Sequence, residues 1–299
     1  MKKKTLLFSA LPSMSLALLV VSLLLPLRAN AASRSPHLLH VHGRSNMNQG
    51  NGNDNLQYHG GPVMANTARV YAIFWEPPGS VVSSTYNSLI LRYFHDIGGS
   101  GLYHNNRQYR DASSHRPKKA VLAHSWVDTA AYPSAILLDR DVQREVTHAQ
   151  QVNGWTSSID HVFFVFTAKG ENICIDSQTC SFQVFCAYHN FFGINTIYAA
   201  MPYAGTSLSG CGIPDGTSPN DDIDADSEIN ITSHEQIEAA TDPLLNAWYD
   251  AQGAEIGDKC AWTFGDVDSG GSNIQRNDNS YIVQEEWDNK QQGCVLSGP

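Results

Sequence analysis

Basic side chains are in short supply in this chain: 19 lysines and arginines stand against 29 acids, for a formal net charge of −10. Four of the 19 (Lys2, Lys3, Lys4 and Arg28) fall in the first 31 residues, which hold no acid, so the remainder is more acidic still. No basic cluster of the kind that grips nucleic acid or an anionic membrane surface is left, which excludes both as partners. Two glycine signatures are also missing. There is no Gly-x-Ser-x-Gly elbow and no phosphate-cradling glycine loop, so serine-hydrolase and nucleotide-binding readings have no support. Internal repeats and interior linkers are absent, which leaves one main domain of a length that can bury a full core. Cysteine is confined to the C-terminal half.

The N-terminus is read separately. Lys2-Lys3-Lys4 precede a mostly apolar run of 22 residues from Leu6 to Leu27, followed by the small-x-small signal Ala29-Asn30-Ala31. This pattern predicts a signal peptide over residues 1–31 and a secreted chain with no membrane attachment after cleavage. A retained run would be long enough to span a bilayer, but Pro12, Pro26 and several serines interrupt it. Residues 32–57, rich in Ser, Asn, Gly and His, predict a flexible arm in which His37, His40 and His42 are solvated, with adventitious metal binding by the three histidines as the lesser alternative. Behind a secretory leader, the six cysteines point to oxidised pairs. Short loops close most readily, which favours Cys174–Cys180, Cys186–Cys211 and Cys260–Cys294.

Ordered structure is expected over residues 58–299. Strands are predicted at Ala68–Trp75, Ala120–Val127, the very apolar His161–Thr167, Phe182–His189 and Thr196–Tyr203, with short ones at Trp262–Phe264 and Tyr281–Trp287. Helices are predicted from Ser83 or Ser84 to Ile97, over 136–152, and over 228–242 up to the stop at Pro243. Alternation of strand and helix gives an α/β or α+β fold, a mixed β-sheet flanked by helices with a loop-rich, disulfide-linked C-terminal part.

The chemistry is concentrated in the last helix, Ser233-His234-Glu235-Gln-Ile-Glu238-Ala-Ala-Thr-Asp242-Pro243. His234 and Glu238 leave one face a turn apart. Glu235 stands where a zinc hydrolase places its general base in His-Glu-x-x-His, but here the second histidine is a glutamate. A third ligand is needed. Asp242 is one candidate; Glu255 and Asp258, lying 21 and 24 residues after His234, suit a segment that folds back. The proposed set is therefore His234, Glu238 and either Asp258 or Glu255 on a metal, with Glu235 as catalytic base. Zinc comes first, and the oxygen-rich donors also admit Mn²⁺ or Ca²⁺. His124, Tyr188 and His189 are possible pocket residues. Asp221, Asp222, Asp224 and Asp226 lack the glycine and twelfth-position acid of a calcium loop and read better as acids at a helix start. Asp266-x-Asp268-x-Gly270 is a weaker signal, and Asn230-Ile-Thr232 is a glycosylation sequon.

Several separate blocks in order resemble the EXORDIUM (phosphate-induced protein) family. They are Tyr58-His-Gly-Gly-Pro-Val63, the strand ending in Trp75, Cys186-Ala-Tyr-His189, Ser233 to Pro243, Asn246-Ala-Trp248 and Glu255-Ile-Gly-Asp-Lys-Cys260. The likeness runs from about Tyr58 to Cys294. It implies a secreted or wall-associated protein, and the lysine-rich leader fits a bacterial member; it hands over no reaction. The order of strands before a His-Glu helix is also similar to zincin peptidases. Two functions follow as expectations: a zinc metallopeptidase-like hydrolase acting on extracellular peptide, or a non-catalytic EXORDIUM-like module binding cell-envelope or wall polymers through aromatics such as Trp248 and Trp287.

Overall fold

A computed structural model describes Met1, residues 35–42 and residues 55–298; the expected signal peptide, and most of the expected arm, lie outside the described residues. The fold is built on a six-stranded mixed sheet. Its strands are β1 (His37–His40), β2 (Thr67–Trp75), β3 (Lys119–Asp128), β4 (His161–Thr167), β5 (Phe185–Phe192) and β6 (Thr196–Met201), in the spatial order β1-β5-β6-β4-β2-β3. Strands β3, β2, β4 and β6 run parallel. β5 runs antiparallel to β6, and β1 antiparallel to β5. β4 is interior and apolar on both faces, as a strand covered from both sides must be.

Alternation along the strands divides the core in two. Val70, Phe74, Phe164 and Phe166 face α1 (Tyr86–Ile97) and α3 (Ile223–Thr241). Tyr71, Ile73, Phe163 and Val165 face α2 (Asp139–Asn153) through Val142, Val146 and Ala149. The C-terminal segment lies against the other side of α3 through Ile256, Tyr281, Val283 and Trp287. Every residue of α3 from Ala225 to Thr241 is therefore buried.

Some boundaries differ from the sequence expectation. Ile136–Leu138 is a strand paired in parallel with Asn172–Cys174. α2 starts only at Asp139, because the Asp141 carboxylate accepts the Leu138 amide at 2.8 Å. α3 begins at Ile223, five residues early, where the Asp222 side chain accepts the Ala225 amide at 3.1 Å. Trp262–Phe264 is not a strand, and Trp262 sits at φ +62. The described part of the expected arm is docked and only partly exposed: His37–His40 pairs with β5, and His42, though exposed, stacks on Trp262 with ring centroids 4.0 Å apart. A short polar strand leaves little hydrophobic pattern to read. All three expected disulfides are present, Cys174–Cys180, Cys186–Cys211 and Cys260–Cys294. They are consistent with an extracellular location. Among the described residues no helix is long and apolar enough to cross a membrane.

Candidate metal centre

α3 places His234, Glu235 and Glu238 in the interior, each fully buried. His234 Nε2 and Glu238 Oε2 are 3.1 Å apart. The turn Asp258–Cys260 and the residues before it fold back over this pair. The amides of Gly257 and Asp258 both donate to Glu238 Oε1, at 3.2 and 3.0 Å, which leaves Oε2 directed at the imidazole. Asp258 Oδ1 lies 3.8 Å from His234 Nε2. Its other oxygen accepts the Glu255 amide at 3.1 Å, and Cys260–Cys294 fixes the turn to the C-terminal hairpin.

The sheet supplies two further imidazoles. His189 on β5 and His37 on β1 are direct partners in register, so both project from the same face. His189 Nδ1 is 3.4 Å from Glu235 Oε2 and 3.7 Å from Glu238 Oε2, and its Nε2 is 3.8 Å from Glu255 Oε2. His37 Nδ1 is 3.4 Å from Glu255 Oε2 and 4.0 Å from Asp258 Oδ2. Three overlapping donor sets result, each with its ligand atoms within 4.8 Å of one another: His234/Glu235/Glu238, His189/Glu238/Glu255 and His37/Glu255/Asp258. Glu238 links the first two sets and Glu255 the last two. Asp242 caps α3, its Oδ1 accepting the Asn246 and Ala247 amides at 2.5 and 2.7 Å.

Carboxyl groups outnumber imidazoles here, and burial sets their protonation. Burial, then the charges of Glu238, Asp242 and Asp258, push Glu255 far above the usual carboxyl range. Asp258 is raised to about 8 by burial and by Glu238, and burial pushes Glu286 from the hairpin well above the usual carboxyl range. Burial alone would lower His234, but Glu238 overrides it and lifts the imidazole to about 10. Glu238 in turn is kept ionised by His234 against the pull of burial.

The donors fit a cation. Apart from one another, His189 Nδ1, His234 Nε2, Glu238 Oε2 and both oxygens of Glu235 and of Glu255 are buried without a hydrogen-bond partner. Buried polar atoms left so are costly unless something else satisfies them. The donor chemistry, two or three imidazoles among carboxylates, suits zinc or manganese.

All five residues that the sequence proposed for the site are brought together: His234, Glu235, Glu238, Glu255 and Asp258. Asp258 is the acid over His234, while Glu255 faces His189 and His37. The sequence did not bring in His37, and offered His189 only as a pocket residue. The ligand-like spacing Cys186-x-x-His189 was the available signal, but Cys186 is disulfide-bonded. Tyr188 points to the opposite face and donates to Asp139 Oδ1 at 2.7 Å, and His124 packs near Tyr71 and Trp155, so neither belongs to the site. Trp287 is buried and Trp248 is packed by Tyr58 and Tyr109, which removes Trp287 as an exposed glycan platform. Asn230 is fully buried on α3 and is no glycosylation acceptor. The Asp221–Asp226 acids serve the helix start: Asp226 Oδ2 accepts from Ser218 Oγ at 2.7 Å.

The chain is 24% identical over 248 residues to Protein EXORDIUM-like 5 of Arabidopsis thaliana, covering 72% of this chain and 66% of that one. It is 25% identical over 247 residues to Protein EXORDIUM-like 3 of the same plant, covering 73% and 71%. These distant similarities support the EXORDIUM family, and neither name carries an activity. No family model matches the chain, and no solved structure matches it.

Proposed function

We propose that this chain is a secreted metal-dependent hydrolase of the peptidase type, a bacterial EXORDIUM relative with a zincin-like helix. His234, Glu238 and Asp258 hold a divalent ion, zinc by preference, and Glu235 is the general base. One observation carries the reading: His234 Nε2 and Glu238 Oε2 of α3, both buried, converge with Asp258 Oδ1 from the turn beside the buried carboxyl of Glu235. A bound ion would polarise a scissile carbonyl and acidify a water. Glu235 would take the proton released, and burial, which raises its affinity for protons, suits it to that task. His189, 3.4 Å away, orients its carboxyl.

His234 must turn its lone pair towards the ion. The Gln284 amide nitrogen stands 3.1 Å from Nδ1, an arrangement that puts the imidazole proton on Nε2. Freeing Nε2 for ligation needs the proton on Nδ1, and so a turn of the Gln284 amide that also gives up its bond to the Gly257 carbonyl, 2.9 Å from the same nitrogen. A cavity of about 340 Å³ lined by His37, Leu38, His40, Gln252, Gly253 and Asp258 meets the site at Asp258. An extracellular peptide or a wall polymer is the substrate class.

The full burial of His234, Glu235 and Glu238 favours a second reading, a non-catalytic module in which the ion is structural and which acts at envelope or wall polymers. The Glu235→Gln variant separates the two. Under the first reading it keeps its metal, measured by elemental analysis, and loses cleavage of a casein-like substrate. Unchanged cleavage removes Glu235 from the mechanism. A metal-loaded wild type with no turnover leaves the structural reading.

A further inference from the structure

A second cluster lies on the α2 face, at the far edge of the sheet from β1. Asp128 is the last residue of β3, the end of a parallel strand where open α/β sheets place ligands. Glu145 and His148 are three residues apart on α2 and so share a face, the Glu-x-x-His spacing that helical metal proteins use. His148 Nδ1 is 3.2 Å from Asp128 Oδ2 and 3.6 Å from Glu145 Oε2. The donor atoms of all three lie within 4.8 Å of one another.

We infer that Asp128, Glu145 and His148 form a further divalent-cation site, separate from the one on α3. Two acids side by side are not enough for such an assignment. Asp128 and Glu145 are only 5% and 4% exposed, and outside the cluster itself Asp128 Oδ2 and Glu145 Oε1 have no hydrogen-bond partner. The other Asp128 oxygen is already used, accepting the Ala130 amide at 2.9 Å, so Oδ2 is the atom offered. An ion with bonds of about 2.1 Å sets neighbouring donors roughly 3.0–3.4 Å apart, close to the separations found.

The surroundings fit an open coordination sphere. A cavity of about 210 Å³ adjoins the cluster, lined by Trp75, Pro133 and Arg144 among others. It has room for waters or a small anionic ligand to complete the shell. Arg144, the cation on this wall, is held by Asp141 Oδ1 at 3.1 Å and does not neutralise the pair. His148 is 44% exposed on its side chain, so the site is reached from solvent. Two carboxylates and one imidazole suit Mn²⁺ or Zn²⁺ over Ca²⁺.

The test is titration of the protein with Mn²⁺ alone, following free ion by electron paramagnetic resonance. A chain carrying His234→Ala and Glu238→Ala isolates this site from the α3 centre and is expected to keep one equivalent. Adding Glu145→Gln or His148→Ala should weaken that equivalent at least tenfold. His148 is exposed enough for its replacement to leave the melting temperature near that of the parent. In the otherwise unaltered chain, the same two variants should each remove one equivalent, so the result does not depend on the double α3 variant folding. Mn²⁺ binding unchanged by both variants in either chain overturns the assignment, as does no binding by a folded α3 double variant. Loss of the α3 equivalent alone leaves this site standing and speaks only to the proposed function.

Discussion

Gly257 lies directly against the imidazole of His234. A β-carbon at position 257 would stand 2.5 Å from His234 Nδ1, 2.9 Å from Cε1 and 3.0 Å from Glu238 Oε1. Its φ of −80 is one any residue adopts, so the glycine is required by proximity and not by backbone conformation. Gly257→Ala must push the Asp258 turn off α3 or rotate His234. The expected cost is about 1–3 kcal/mol, in the range of overpacked cores, together with loss of bound metal. A thermal melt and a zinc measurement on the same sample check both, and a wild-type melting temperature with full metal content would show that the turn yields freely.

Removal of the ion should be visible in stability. An ion that binds only the folded chain stabilises it by about 2.7 kcal/mol at one hundred times its dissociation constant. A chelator should therefore lower the melting temperature of the wild type by several degrees. Glu238→Ala removes the carboxylate that links two of the three donor sets of the α3 centre, so its melting temperature should be lower at the outset and should respond less to chelator than that of the wild type. Equal chelator responses in the two proteins would place the bound ion elsewhere.

The parts of the site that could be read in the sequence are those fixed by local spacing. His234, Glu235 and Glu238 share a helix, and Glu255 and Asp258 lie in one short turn of the chain, so neighbours in sequence became neighbours in space. His189 and His37 reach the site through an antiparallel pairing of β5 with β1, which no local pattern announces. α3 itself starts earlier than its pattern suggests, because a helix buried on every side shows no apolar stripe and Asp224 and Asp226 mask its first turn. The strand order was hidden for the same reason as His37: β1 has four residues and two of them are histidines. The apolar strands, marked by continuous runs of large apolar residues, were placed to within a few residues.

The three disulfides should not contribute equally. Cys186–Cys211 spans 25 residues and anchors the strand that carries His189, Cys260–Cys294 spans 34, and Cys174–Cys180 only 6. On loop closure alone the first two are each worth about 3–4 kcal/mol and the third about 2 kcal/mol. Paired alanine variants should therefore cost most at Cys260–Cys294, slightly less at Cys186–Cys211 and least at Cys174–Cys180 in denaturant melts. Removal of Cys174–Cys180 proving the most damaging would show that native packing, and not chain entropy, decides their contribution.

Stability should fall as the medium turns alkaline, and Glu228 is one of the buried acids responsible. It is fully buried on α3, six residues before His234, with Oε2 accepting the Ala204 amide at 2.8 Å. Burial raises it from 4.5 to about 8 against the relief its hydrogen bonds supply. The folded chain then holds a proton that the unfolded chain gives up at about 4.5, so folding binds protons between those values. The contribution is complete below about pH 4.5 and is lost as pH rises through about 8, a change on the order of a few kcal/mol for a group so buried. Glu228→Gln imitates the protonated side chain. It should be close to wild type at pH 5, more stable than wild type at pH 8.5, and flatter between the two in urea melts. A Gln variant that loses stability in parallel with the wild type over that range would rule out Glu228 as one of the groups responsible.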